Sequence, residues 1–361
     1  MNDIVLKVAG KTYGGWTSVI VEKSLYRITG AFGFATTDIF PGNIKKWEFS
    51  LGDACSVEID KQTIITGYIE DLPISYDNST HNVQVGGRDK TGDLVDCSFV
   101  QDAAEWKNQT ILKIIKALCH PFDIDVVADA SVASQVATKI PEFKTNESDV
   151  VFDLIAKLCR MGAILPVSYG DGKLTLTRAG TAYKANDALV LGENIKSGSI
   201  EQSNKDRFQT YIVKGQGIGT DEKSLLEDVT GPVGQIRDNV ILRYRPLVIF
   251  TETPCDIGRC LARARWEARN RAGASRSLEY TVQGWVQSNG DVWPLNAMVD
   301  VRDSFLGIND TLLIAAISFS VDDTSGTVTR LSLVHPETFE LLAEPIEDIE
   351  TEADSDGDWW N

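Results

Sequence analysis

Hydrophobic and polar residues alternate in short runs along the first quarter of the chain. Ile4–Val8, Val19–Val21, Ala31–Phe34, Cys55–Asp60, Ile64–Ile69 and Asn82–Val85 are β-branched or alternating stretches separated by turn residues. That pattern predicts a small antiparallel barrel or sandwich. The period then changes. Ile111, Leu112, Ile114, Ile115 and Leu118 form an amphipathic helical stripe that His120-Pro121 stops. A second helix is expected with Ser148 as N-cap, a buried stripe of Val151, Leu154, Ile155 and Leu158, and Gly162 as its stop. Ile164–Val167 and Lys173–Leu176 flank Tyr169-Gly170-Asp171-Gly172 and read as a hairpin.

Strands return in the last third, at Arg207–Gly215, Ser277–Gly284, Met298–Arg302, Leu312–Ser320 and Val328–Val334. Residues 216–238 are rich in Gly, Asp and Glu and read as a long loop. Thr253-Pro254 reads as the cap and first turn of a helix ending before Gly273. The two strand regions resemble each other. Leu51–Asp60 is matched by Leu295–Arg302, Ile64–Ile69 by Leu312–Ile317, and Asp77–Val83 by Asp322–Val328. An ordered set of such matches predicts two barrels built alike, with Val57 and Ile59 placed like Val299 and Val301. The expected fold is therefore α+β and β-rich. It has one antiparallel barrel at 1–92, an α/β domain at 93–190, and a second barrel at 191–338. The second barrel carries an inserted loop, 216–253, and an Arg-rich helix, 254–272. An acidic tail, 339–361, is expected to be largely disordered.

Composition narrows the function. The net charge is −17, and eight acids with no base fall in residues 344–361, leaving the body near about −9. Such a body repels phosphates and does not read DNA sequence, although it tolerates DNA passing close by. The opening MNDIVLKVAGK has neither the apolar core nor the cleavage site of a signal peptide, and no run approaches the roughly 20 apolar residues of a membrane span. The six cysteines include no CxxC pair and read as reduced, mostly buried thiols. His81, His120 and His335 are isolated, so no metal site is expected.

Asp89-Lys90-Thr91-Gly92 spells DKTG, which opens the phosphorylation loop of P-type ion pumps. Asp93 follows where the pump motif has Thr, and the preceding strand belongs to a β meander. The reading is structural: Gly86-Gly87 ends the strand, Asp93–Asp96 begins a helical turn, and Arg88 and Asp89 pin the corner by ion pairing, with Asp93 and Asp96 beside them. No GxSxG elbow or GxxxxGK[ST] loop occurs, and Gly215-Gln216-Gly217-Ile218-Gly219 runs into Asp221-Glu222, which disfavours phosphate. No catalytic or cofactor-binding residue is assigned.

Two features suit contacts with other molecules. The helix around Asp256–Arg271 carries Arg259, Arg263, Arg265, Arg269 and Arg271. It either packs on its own barrel, with Glu267 paired to Arg263 and Arg271, or contacts an acidic subunit or partner. Trp359 and Trp360 end the tail as a docking peg or as a free end.

Three segments in combination resemble the baseplate hub proteins of contractile phage tails. They are VQVGGRDKTGDLVDCSF at 83–99, the helix from Ser148 to Gly162, and the run from Gly284-Trp285 through Trp293-Pro294-Leu295 to Thr329-Arg330-Leu331. The likeness covers about 1–340. It implies a homotrimer whose paired barrels form a ring with a pseudo-sixfold face, meeting the sixfold tail tube on one side and the trimeric spike on the other. Other baseplate proteins would be partners, DNA would pass through the centre without specific binding, and no membrane insertion is implied. The protein would be assembled in the host bacterial cytoplasm and reside in the virion's baseplate. The competing expectations are a tail-associated carbohydrate-binding module or a cell-wall hydrolase. The chain leaves no segment for a catalytic domain, and Trp285 and Trp293 fall where core or rim packing is expected.

Overall fold

The computed structural model describes residues 4–37, 48–77, 81–100, 105–146, 148–181, 183–216, 231–254 and 256–343. The fold is β-rich with few helices. The first region holds β1 (Ile4–Val8), β2 (Lys11–Tyr13), β3 (Ser18–Ser24), β4 (Ala31–Thr37), β5 (Ala54–Ile59), β6 (Gln62–Asp71), β7 (Ile74–Tyr76) and β8 (His81–Asp89), followed by a helical turn, α1 (Gly92–Asp96). Strict alternation decides which face is buried: Ile4, Leu6 and Val8 point inward on β1, and Val19, Val21 and Lys23 on β3.

The middle unit contains β9 (Glu105–Thr110), α2 (Ile111–Cys119), β10 (Val126–Ala128), α3 (Ala133–Val136), β11 (Lys139–Lys144), α4 (Val151–Gly162), β12 (Leu165–Val167) and β13 (Leu174–Thr177). The stripes of α2 and α4 meet in one core, where each fully buried aliphatic side chain contributes about 1.5–3 kcal/mol. Thr110 caps α2, its side chain accepting from Lys113 N. Ser148 does not cap α4; the cap position is Val150, with no side-chain bond. The left-handed residue that ends α4 is Ala163, at φ 51°. Gly162 lies inside the helix, where a Cβ would lie 2.7 Å from Ile164 Cδ1 and push that side chain aside.

After β14 (Tyr183–Lys184), β15 (Leu189–Val190) and β16 (Ile195–Gln202) comes β17 (Thr210–Gln216), where a strand was expected. The expected loop 216–253 holds two further strands, β18 (Val233–Arg237) and β19 (Pro246–Pro254), and the expected Arg-rich helix follows as α5 (Ile257–Ala274). Strands β18-β17-β19 form a separate sheet, and α5 packs on it through Cys260 and Ala264 against Tyr211 and Val213. Thr253 and Pro254 belong to the end of β19. The helix is capped by Asp256, whose carboxylate accepts from Arg259 N at 2.8 Å, and Gly273 lies inside it. Residues 217–230 of the expected loop lie outside the described residues.

The chain closes with β20 (Arg276–Gln283), β21 (Ala297–Asp303), β22 (Ile308–Asp322) and β23 (Gly326–Val334). No closed barrel is seen among the described residues. A continuous sheet runs β16-β20-β23-β22-β3-β4-β8-β6-β5-β1-β2, joined across the two regions by β22 against β3. The repeat survives as topology. In chain order, β3, β4, β5, β6 and β8 are arranged in space as β5-β6-β8-β4-β3. In chain order, β16, β20, β21, β22 and β23 are arranged as β21-β22-β23-β20-β16, again all antiparallel. Even a β-bulge is repeated: register shifts between Ile69 and Asp71 against β8, and between Ile314 and Ala316 against β23. Counting from that shared bulge pairs Val57 with Val301 and Cys55 with Val299. The expected match of Val57 to Val299 is therefore offset by two residues, which keeps the same strand face.

Candidate functional site

The corner after β8 is built by close backbone approach. Gly86 and Gly87 lie inside β8 and do not end it. A Cβ at Gly87 would stand 2.0 Å from Tyr68 O, and one at Gly67 would stand 1.8 Å from Arg88 O. The strand can therefore carry Arg88 and Asp89 tight against β6. Arg88 forms a fork on Glu70, with Nε donating to Oε2 at 2.6 Å and Nη2 to Oε1 at 2.9 Å, and it also donates to Asp96 of α1. The hydrogen bond from Arg88 holds the Asp96 carboxyl below its usual range. Burial raises Asp93 next to this group.

Asp89 is held by hydrogen bonds, and no ion pair to it is seen among the described residues. It is 2% exposed; Oδ2 accepts from Gly30 N at 2.9 Å and Oδ1 accepts from the Thr91 hydroxyl. Burial pushes its pKa up, against the opposing pull of Thr91, Gly30 and Ser168. Lys23, buried on β3, donates to Tyr169 O at 2.9 Å. Burial lowers its pKa to about 8, while Asp89 and Asp171 pull it back upward. Lys90 reaches Asp123 Oδ2 at 3.1 Å. The hairpin at 169–172 seats on β6, where a Cβ at Gly170 would be 1.7 Å from Ile64 O. DKTG thus rivets the first sheet region to the middle unit. The Asp89 carboxylate is enclosed and committed on both oxygens, which leaves no approach for a phosphoryl group.

An open cleft of about 820 Å³ lies beside this corner, with Glu70, Asp71, Arg88 and Asp93 on its wall. No cluster suited to a metal ion occurs among the described residues. Burial pushes the thiols of Cys55, Cys119 and Cys159 up to about 12, so they are inert.

On α5, Glu267 accepts from Arg263 Nη2 at 3.0 Å and from Arg271 Nε at 3.0 Å. Arg269 stands 3.9 Å from Glu337. Arg259 and Arg265 are exposed and pair with no carboxylate among the described residues. Trp359 and Trp360 lie outside the described residues. Trp285 and Trp293 are 2% and 3% exposed, core residues with no face for a sugar.

The structure thus brings Arg88, Asp89, Asp93 and Asp96 into one corner and keeps the α5 arginines on a separate unit. Thr91 of the DKTG string completes the corner, together with Glu70, Ser168 and Lys23, which were not singled out from sequence. Lys23 was legible as the one charge in the inward series Val19, Val21, Lys23 of β3.

An enclosed carboxylate, a duplicated strand order and an inserted α/β unit define a scaffold, and comparison with known proteins gives its class: the structural proteins of phage tail baseplates. Residues 3–89 match the N-terminal domain of the Mu phage baseplate assembly protein GpP-like family, 91–178 the second domain of the baseplate hub protein gp44-like family, and 258–342 the fourth domain of GpP. Baseplate hub protein gp44 of Escherichia phage Mu is 31% identical over 99% of this chain and 94% of its own length. The chain belongs to this family of Mu-type baseplate hub proteins. Among solved structures, the 43 kDa tail protein of prophage MuSo2 from Shewanella oneidensis is 34% identical with a TM-score of 0.82, covering 94% of this chain and 99% of that one. The Escherichia coli c3393 protein is described as a type VI secretion component similar to the T4 tail proteins gp27 and gp5. At 12% identity it shares the fold, with a TM-score of 0.57 over 94% of this chain and 79% of its own. The matched families are baseplate families, and none is catalytic.

Proposed function

We propose that this chain is the structural hub of a contractile phage tail. Three copies form a ring that adapts the sixfold tail tube to a trimeric spike and lets DNA pass through its centre. The observation that carries this reading is the five-strand order present twice in one chain, down to the same bulge. Three chains then offer six like units to a sixfold partner, while the inserted unit with α5 occurs only three times. The partners are other copies of the chain, the tube protein, the spike and further baseplate proteins. The site is the virion baseplate, reached by assembly in the bacterial cytoplasm. The acidic body suits a channel that DNA traverses without sticking. Arg259, Arg263, Arg265 and Arg269 on α5 face away from the lumen, toward their own strand region, a neighbouring subunit or a partner, and Arg88, Asp89, Asp93 and Asp96 serve the architecture.

The test is the mass of the purified protein by light scattering, followed by negative-stain imaging. A trimer with threefold views and a central hole is expected. A monomer at micromolar concentration would overturn the reading.

A further inference from the structure

The two copies of the strand unit are covered differently. On β22, residues 308–313 are paired with β21, and the same edge further along, 316–321, receives β3. On β6 the matching first stretch is paired with β5. The stretch that follows, Asp71 and then β7, is paired on one side with β8 and receives no strand on the other among the described residues. Conversely, β3 is covered by β22, whereas its counterpart β16 ends the sheet.

The side chains record the same difference. The shared bulge matches Ile74 with Phe319 and Ser75 with Ser320. Phe319 is fully buried, while Ile74 is 64% exposed. On the other partner, the pairings of β4 and β20 match Val21 with Ile200 and Ile20 with Ser199. Val21 is fully buried, and Ile200 is only partly covered on a strand that is otherwise mostly exposed. An uncovered strand edge with an exposed apolar residue is a template for another strand. The covalent chain already shows which strand fits such an edge, and in which register.

We infer that β16 of one copy pairs antiparallel with the β6–β7 edge of the next, repeating between chains the junction that β3 and β22 make within one. Phe319 lies opposite Val21 and Ser320 opposite Ile20. The register of the new junction therefore sets Ile74 opposite Ile200, and Ser75 opposite Ser199, of the neighbouring copy. The contact is head-to-tail, so it closes into a ring or grows as a filament. The number of copies rests on the ring reading above; the choice of strands does not.

The test uses the full chain with Ser75→Cys and Ser199→Cys together, oxidised and run without reductant. Both serines are exposed, so the reduced double variant is expected to melt with the wild type. Facing residues of an antiparallel pair lie about 4.5–5.5 Å apart, within the Cα range of a disulfide. Covalent trimers from the double variant, absent from either single variant, are the expected result. Ile74→Lys is expected to lower the native mass from three chains to one while leaving the circular dichroism unchanged. A native trimer that does not cross-link would overturn the strand assignment and leave the ring standing. Cross-linked ladders beyond three would support the strands and refute the ring of three. A monomer that forms no cross-link, or an internal disulfide within one chain, would overturn the junction.

Discussion

Lys23 gives a quantitative test of the seam between the first sheet region and the middle unit. Its ammonium is buried on β3, bonded to the Tyr169 carbonyl, and burial lowers its pKa from 10.5 to about 8. A depressed folded-state pKa contributes stability that is present above the unfolded value and lost as pH falls through the folded one. The window therefore runs from pH 10.5 down to about 8. That gap corresponds to about 3 kcal/mol at about 1.4 kcal/mol per pH unit. The unfolding free energy of the wild type, measured by urea denaturation with tryptophan fluorescence, should therefore gain about 3 kcal/mol on Lys23→Met between pH 7 and 10.5. Subtracting the variant cancels the tyrosines and other lysines that titrate in the same range. Parallel profiles would show that the ammonium is solvated in the folded protein. A wild-type-minus-variant unfolding free energy that falls with rising pH would reverse the sign and refute the seam as described.

Three further outcomes follow from the geometry. Asp89→Ala strands the buried Gly30 N–H and should cost about 1–3 kcal/mol, while Asp89→Asn, which keeps an acceptor, costs less. Neither is expected to change phosphate release from ATP, because both Asp89 oxygens are committed to hydrogen bonds; Asp89-dependent labelling by ATP would contradict this. Gly87→Val places carbon against the Tyr68 carbonyl and should abolish soluble expression at 37 °C, whereas Gly10→Ala, in open space although at φ +77°, should leave the protein soluble. Duplex DNA should not shift on a native gel with micromolar protein at about 50 mM salt, and a tight, salt-sensitive complex would refute the neutral-to-acidic channel.

Much of the architecture was legible because burial on one face writes itself into period. Alternation marked β1, β3, β5 and β6, and the stripes of α2 and α4 were named residue by residue. The misreadings share a cause: local signals with more than one structural use. Gly86-Gly87 reads as a strand end, yet both lie inside β8, and glycine is needed at 87 because the Tyr68 carbonyl of β6 runs too close for a side chain. Thr253-Pro254 announces a helix start, yet those residues end β19 and the helix begins after Asp256, packed on β17 and β18. β18 and β19 escaped notice because they line a small core, and Val233, Val248 and Phe250 stay substantially exposed, which blurs the alternation. Of the candidate residues, the corner group was found by its turn and charge pattern, whereas Glu70 and Ser168 come from distant segments and carry no local mark. The barrels were expected to close separately because sequence shows which strands repeat and not which edges join.

The link between the first two strands of the repeated unit differs between its copies. It is six residues in the first, 25–30, and in the second it spans 203–275 with a complete α/β unit. A building block encoded once and assembled six times must accept any insertion at all six positions. Encoded twice in one gene, it can grow in one copy while the other stays bare. Ancestry by duplication and fusion would explain how one polypeptide keeps a shared strand plan for one neighbour and acquires an unshared appendage for another. The place where the two copies diverge most, and not where they agree, is then where this chain has been free to specialise.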